Sequence, residues 1–185
     1  MSGIVGIVGE SNSGMVGGQS GLPGTTLQAT SAYGTADTTL GTTNNVWEDT
    51  VIVDSITPKF KDSLVWVFMS GVVDYSNNTG STDAGVGMRV KRVITGGATD
   101  YPANLSVQEG TTNAHSIHYI GSGGNAYVNR AEQYSFIFVD APATTSTVTY
   151  TWQGAPYSCT ALVIGGAYTS RWFVHLQEMR GPIST

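Results

Sequence analysis

The chain reads as an all-β protein: an antiparallel β-sandwich preceded by an extended segment rich in Gly, Ser and Thr. Three observations predict this. Only 11% of the 185 residues are charged, against about 25% in an ordinary globular chain. The polar surface must therefore be built from Ser, Thr, Asn and Gly, which suits strands and turns better than helices. The 24 glycines supply many turns. Apolar residues alternate with polar ones over several short runs, and no segment keeps the helical period of about 3.6 residues.

The first residues repeat a short unit, Gly-(Ile/Met)-Val-Gly, at Gly3 to Gly6, Gly6 to Gly9 and Gly14 to Gly17. Glycine at this density does not sustain a helix, and the aliphatic pairs are too many for an indifferent linker. Ile4, Val5, Ile7, Val8, Met15 and Val16 are expected to pack on other copies of the chain or on a larger assembly. From Thr25 to Asn45 the chain is Thr-rich, with Leu27, Tyr33 and Leu40 as isolated anchors, and is expected to run extended over a surface. Two regions follow: an N-terminal docking or oligomerisation segment over residues 1–44 and a β-sandwich over 45–185.

Alternation begins at Val46. Thr50 to Thr57 reads as a strand ended by Pro58. Leu64-Val-Trp-Val-Phe-Met-Ser-Gly-Val-Val is apolar on both faces, the pattern of a strand central in its sheet. Asp74 to Ala84 reads as a polar loop, and Gly85 to Thr95 as the next strand. The long stretch Gly96 to Gly124 holds one strand-like run, Ala114 to Ile120. Glu132 to Val139 is a strand broken by Asp140-Ala-Pro. Ser146 to Gln153 places Val148, Tyr150 and Trp152 on one face and Thr147, Thr149 and Thr151 on the other. Cys159 to Ile164 and Ser170 to Met179 close the chain, the last with Trp172, Val174 and Leu176 on one side and Phe173, His175 and Gln177 on the other. About seven or eight strands with closely spaced turns describe a sandwich.

The net charge is −5 and the pI about 4.9. All eight Lys and Arg lie from Lys59 onward, so the N-terminal region is no cationic arm. Arg89, Lys91 and Arg92 form the densest basic group. Arg89 and Lys91 alternate with Val86, Met88 and Val90, and the group reads as the charged edge of a strand rather than a phosphate contact. A single cysteine, Cys159, excludes an intrachain disulfide and sits in an apolar run as a buried structural thiol. No apolar run reaches the roughly 18 residues of a membrane span, and the start lacks the basic region of a signal peptide. A soluble protein made in a cytoplasm is expected, with no membrane insertion and no nucleic-acid partner.

Chemistry-bearing motifs are sparse. Gly9 to Gly14 has the glycine spacing of a phosphate loop, but Met15 and Val16 stand where Lys and Ser or Thr are needed. His115 and His118 point to opposite faces of a strand, so a shared metal would need a bend and a third ligand such as Glu109 or Glu132. His175 reads as a packed or interface histidine. No local spacing nominates a carboxylate pair for glycoside hydrolysis, and Gly121-Ser-Gly-Gly is not a nucleophile elbow. No enzyme activity, cofactor or metal is expected. Trp47, Tyr75, Tyr101, Tyr119, Tyr127, Tyr157 and Tyr168 lie near loops or strand ends, where they either pack the rim or recognise a sugar or protein. The candidate recognition loop is Tyr75, Asn77, Asn78 and Thr79.

Four stretches carry a resemblance. Tyr134 to Trp152 runs an aromatic strand into Asp140-Ala-Pro, a Thr/Ser turn and a strand ending in Thr-Tyr-Thr-Trp. Asp49 to Pro58 followed by Ser63-Leu-Val-Trp-Val-Phe, the ending Val174-His-Leu-Gln-Glu-Met, and Gly9-Glu-Ser-Asn-Ser-Gly-Met-Val-Gly are the others. Together they resemble tail-fibre-like and other virion proteins of tailed phages, especially marine and cyanobacterial ones, over most of residues 1–19 and 46–180. The sparse charge and the insert from Ile94 to Asn125 depart from that pattern. The resemblance implies a jelly-roll-like sandwich that forms homotrimers and docks on the virion through its N-terminal segment. The expected function is a short tail fibre or receptor-contacting appendage, with other virion proteins and a host surface glycan as partners. The alternative is a capsid decoration or cement protein at threefold positions; a carbohydrate-binding module or glycan hydrolase ranks below both.

Overall fold

A computed structural model describes residues 24–77, 83–102, 116–121, 128–166 and 170–181. Every regular element in them is a strand: β1 (Thr26–Gly34), β2 (Asp37–Leu40), β3 (Glu48–Ile56), β4 (Leu64–Asn77), β5 (Asp83–Ile94), β6 (Thr99–Asp100), β7 (Ser116–Gly121), β8 (Val128–Asp140), β9 (Val148–Tyr157), β10 (Ala161–Gly165) and β11 (Trp172–Met179). They form two antiparallel sheets packed against each other, a β-sandwich.

In the first sheet β4 is central. One edge of β4 pairs along its whole length with β8. The other edge pairs with β11 over Leu64 to Ser70 and with β10 over Val72 to Ser76. β1 lies beyond β11 and β2 beyond β10. In the second sheet β9 pairs with β3 and β5, and the far edge of β5 carries β7 and the two-residue β6. Setting aside the short β2, β6 and β10 leaves eight strands. In chain order, the first, eighth, third and sixth form one sheet, and the second, seventh, fourth and fifth form the other. That order is a jelly roll.

The core follows from the period-2 patterns. Val65, Val67 and Met69 of β4 with Val174 and Leu176 of β11 face Val86, Met88 and Val90 of β5 and Val148, Tyr150 and Trp152 of β9, all buried. Phe136 of β8 meets Trp152 edge-on with ring centroids 4.8 Å apart, and Phe138 meets Tyr150 at 6.5 Å. Two glycines allow the sheets to close. A Cβ on Gly71 of β4 would lie 2.5 Å from Ile52 Cδ1 of the opposite sheet, and one on Gly154 of β9 would lie 2.5 Å from Ile164 Cδ1. The expected faces of β9 and β11 are the observed ones: in β11, Trp172, Val174 and Leu176 are buried while Phe173, His175 and Gln177 face outward.

Two expectations are corrected. The boundary at residue 44 does not hold, because Thr26–Gly34 and Asp37–Leu40 are strands of the first sheet. β1 is built mostly from Thr, Ser, Ala and Gly, with Leu27 and Tyr33 as its only large apolar residues, so it has little hydrophobic alternation of its own. Its partner β11, distant in sequence, supplies the ladder. The polar loop expected over Asp74 to Ala84 is also shorter: β4 runs to Asn77 and β5 begins at Asp83. Asp74 and Ser76 are polar because they point outward, while Val73, Tyr75 and Asn77 continue the buried face.

Candidate functional site

β4 places apolar side chains on both of its faces, but the sandwich covers only one of them. On the outer face three rows run across β8, β4, β11 and β1. Val139, Trp66, Gln177 and Ala29 form one row; Ile137, Phe68, His175 and Ser31 the next; Ser135, Ser70, Phe173 and Tyr33 the third. Tyr33, Ile137, Val139 and Trp66 are 67%, 60%, 56% and 40% exposed. The Phe68 and Phe173 rings meet at 5.8 Å, and Phe173 stacks on His175 at 6.3 Å. None of the twelve side chains is a carboxylate, lysine or arginine; Arg171 sits 5.8 Å from the Tyr33 ring centre at the rim.

The polar groups on this face are hydrogen-bonded to one another. Ser31 Oγ and His175 Nδ1 are 2.9 Å apart. Gln133 Nε2 donates to Ser70 Oγ at 2.7 Å, Ser135 Oγ donates to Ser70 Oγ at 3.1 Å, and Ser70 Oγ donates to the Tyr134 carbonyl at 3.2 Å. Polar groups paired in this way lose little when water is removed from above them. The face is therefore suited to burial against another protein surface.

The outer face of the second sheet has the opposite character. The Arg89 guanidinium lies between the Trp47 ring (4.1 Å) and the Tyr101 ring (3.8 Å). It donates to Gln153 Oε1 at 2.7 Å and to the Tyr101 hydroxyl at 3.0 Å. Gln153 Nε2 donates to Asp49 Oδ1 at 2.7 Å, and Lys91 pairs with the same carboxylate. Burial lowers the Arg89 pKa, an effect opposed by Tyr101 and Asp49. Trp47 and Tyr101 thus hold their loops onto the sheet by stacking on a cation.

The residues singled out from sequence fall as follows. Ile4, Val5, Ile7, Val8, Met15 and Val16 lie outside the described residues, as do Asn78, Thr79 and His115. Tyr75 and Asn77 are not loop-tip residues: they are 0% and 1% exposed in β4, held there by its inward face. Burial, then the Glu132 charge, pushes the Tyr75 phenol up to about 12. Cys159 is a buried thiol that donates to the Gly85 carbonyl at 3.0 Å, and burial raises its pKa. His175 is at the centre of the uncharged face. Among the described residues no group of His, Cys, Asp and Glu could hold a metal ion. Sequence reasoning missed Trp66, Phe68, Ile137, Val139 and Phe173 as surface residues. The signal was present: a strand apolar on both faces needs a cover on both.

No protein-family model matches the chain, and no curated protein matches it.

Proposed function

We propose that this chain is a structural protein of a tailed-phage particle, a short tail fibre or receptor-contacting appendage that works as a homotrimer. The observation that carries the reading is the outer face of β4, apolar yet left uncovered by the sandwich. A surface of this kind belongs to a subunit of an assembly. The jelly roll, a fold used by capsid and lectin domains among others, is compatible with the reading but does not choose it. The resemblance of the Tyr134 to Trp152 stretch to virion proteins supplies the choice. In this reading residues 1–18 mount the sandwich on the particle through their Ile-Val and Met-Val pairs.

The test is location on purified particles with antibody raised against residues 45–185. Label at the tail supports the reading; label at threefold positions of the head moves the protein to the decoration alternative; no label on any particle removes both. Deleting residues 2–18 is expected to leave a folded sandwich that no longer joins particles. Normal incorporation of that truncation would retire the mounting role.

A further inference from the structure

We infer that the outer face of the first sheet is closed in solution by a second copy of this same chain. The inference deepens the assembly reading above and rests on it only in taking the chain to work in several copies.

Three features point to a copy of itself. The first is charge. The chain is acidic, with net charge −5, so two copies repel unless they meet where neither carries charge. The second sheet presents Asp49 and Lys91 on its outer side, with Arg89 enclosed between Trp47 and Tyr101. The three rows of the first sheet present none, so a neighbouring copy meets no like charge on them.

The second feature is composition. Trp66, Phe68, Tyr33 and Phe173 are the aromatic types that anchor the centres of protein interfaces, and Ile137 and Val139 fill between them. The third is the state of the polar groups. A sugar or a peptide strand would need donors and acceptors aimed outward to fix its orientation. Here Ser31, Ser70, Ser135 and His175 are engaged within the sheet. A surface whose serine hydroxyls are already paired, and whose remaining contacts are mostly apolar, suits a neighbouring protein surface.

The experiment is sedimentation equilibrium of the full chain across a concentration series, for the wild type and for Ile137→Asp and Trp66→Asp. Each substitution places a carboxylate in the middle of the contact. The expected result is a wild-type oligomer and, for each variant, dissociation to the 19.4 kDa chain, with subunit affinity weaker by about 30-fold or more. Val53→Asp, at a residue 37% exposed on the second sheet, is expected to keep the wild-type mass. Circular dichroism and thermal melting confirm that each variant is folded. Should a variant not fold, concentration-dependent hydroxyl-radical protection of Trp66 and Ile137 in the wild type reads the same contact. A wild type that stays monomeric at every concentration overturns the inference. Variants that retain the oligomer, or Trp66 and Ile137 unprotected within it, do the same. These masses are measured on purified chain, so they stand whether or not antibody finds the protein on a particle, and variants that keep the oligomer sink the contact while leaving the location on the particle untouched.

Discussion

Arg92 of β5 and Asp140 of β8 are joined by two hydrogen bonds, 2.6 and 2.8 Å, that cross from one sheet of the sandwich to the other. The Tyr150 hydroxyl donates to the same carboxylate at 2.7 Å, and Asp100 takes the remaining side of the guanidinium at 2.8 and 2.5 Å. Asp140 is 6% exposed and the Arg92 side chain 13%. A buried pair of this kind adds little over a well-packed apolar pair. Asp140→Ala leaves Arg92 with Asp100 alone and takes the acceptor from the buried Tyr150 hydroxyl, so it is expected to destabilise the chain by about 1–3 kcal/mol, measured by urea denaturation. Replacing Asp140 and Arg92 together by apolar residues is expected to cost less than Asp140→Ala alone.

Glu178 is a further buried charge, fully enclosed at the end of β11. Its carboxylate accepts the Lys59 backbone N–H at 2.7 Å, the Ser63 hydroxyl at 2.5 Å and the Gln28 amide at 2.6 Å. It thereby fastens the connection between β3 and β4 to both β11 and β1. Glu178→Ala leaves at least the Lys59 N–H and the Ser63 hydroxyl without an acceptor, at about 1–3 kcal/mol for each buried group. Tryptic cleavage after Lys59 and Lys61 is expected to accelerate in this variant. Glu178→Gln keeps an acceptor oxygen, and its cleavage rate is expected to fall between the two.

The buried phenols of Tyr75 and Tyr150 and the partly buried one of Tyr134 set the alkaline limit of the fold. Burial, then Glu132, raises Tyr75 to about 12. Burial and the hydrogen bond to Glu132 raise Tyr134; burial and Asp140 raise Tyr150. Below the ordinary value of 10.0, the folded and unfolded chains hold the same phenolic protons, and this contribution to stability is fully present. Above it the unfolded chain releases protons that the folded chain keeps, so stability falls as pH rises through 10 toward 12. Tyrosinate absorbance from these three residues is expected to appear together with loss of the near-ultraviolet circular dichroism of the core. A smooth titration of all nine tyrosines at constant fold would contradict this.

Gly71 and Ile52 test how closely the sheets are packed. A Cβ at residue 71 would stand 2.5 Å from Ile52 Cδ1. Gly71→Ala is expected to cost about 1–3 kcal/mol through overpacking. In an Ile52→Val background, which removes that methyl group, the cost is expected to be smaller. Equal costs in the two backgrounds, read from chemical denaturation of the wild type and the three variants, would place the strain elsewhere.

The strand faces were legible from sequence because alternation is a local property. In β9 and β11 each residue's side of the sheet follows from its neighbours, and Val148, Tyr150, Trp152, Val174 and Leu176 are buried as their spacing requires. Polarity misled at Tyr75 and Asn77, where Ser, Asn and Asp on the outward side of β4 look like a loop. β1 was invisible for a related reason: its small residues carry little apolar signal, and its place in the sheet comes from β11, about 150 residues further along the chain.

By itself the sequence determined the class of the fold and, strand by strand, which side chains form a pair of faces, because a period of two residues needs no distant partner. Only the tertiary structure decided the jelly-roll order, the enlistment of residues 26–40, the bridge from Arg92 to Asp140, and which apolar face of β4 the sandwich covers. Those depend on pairing between segments far apart in the chain. The choice at β4 matters most for the proposed function, since it turns Trp66 and Phe68 outward beside Ile137 and Val139 and leaves that apolar face outside the core of the sandwich.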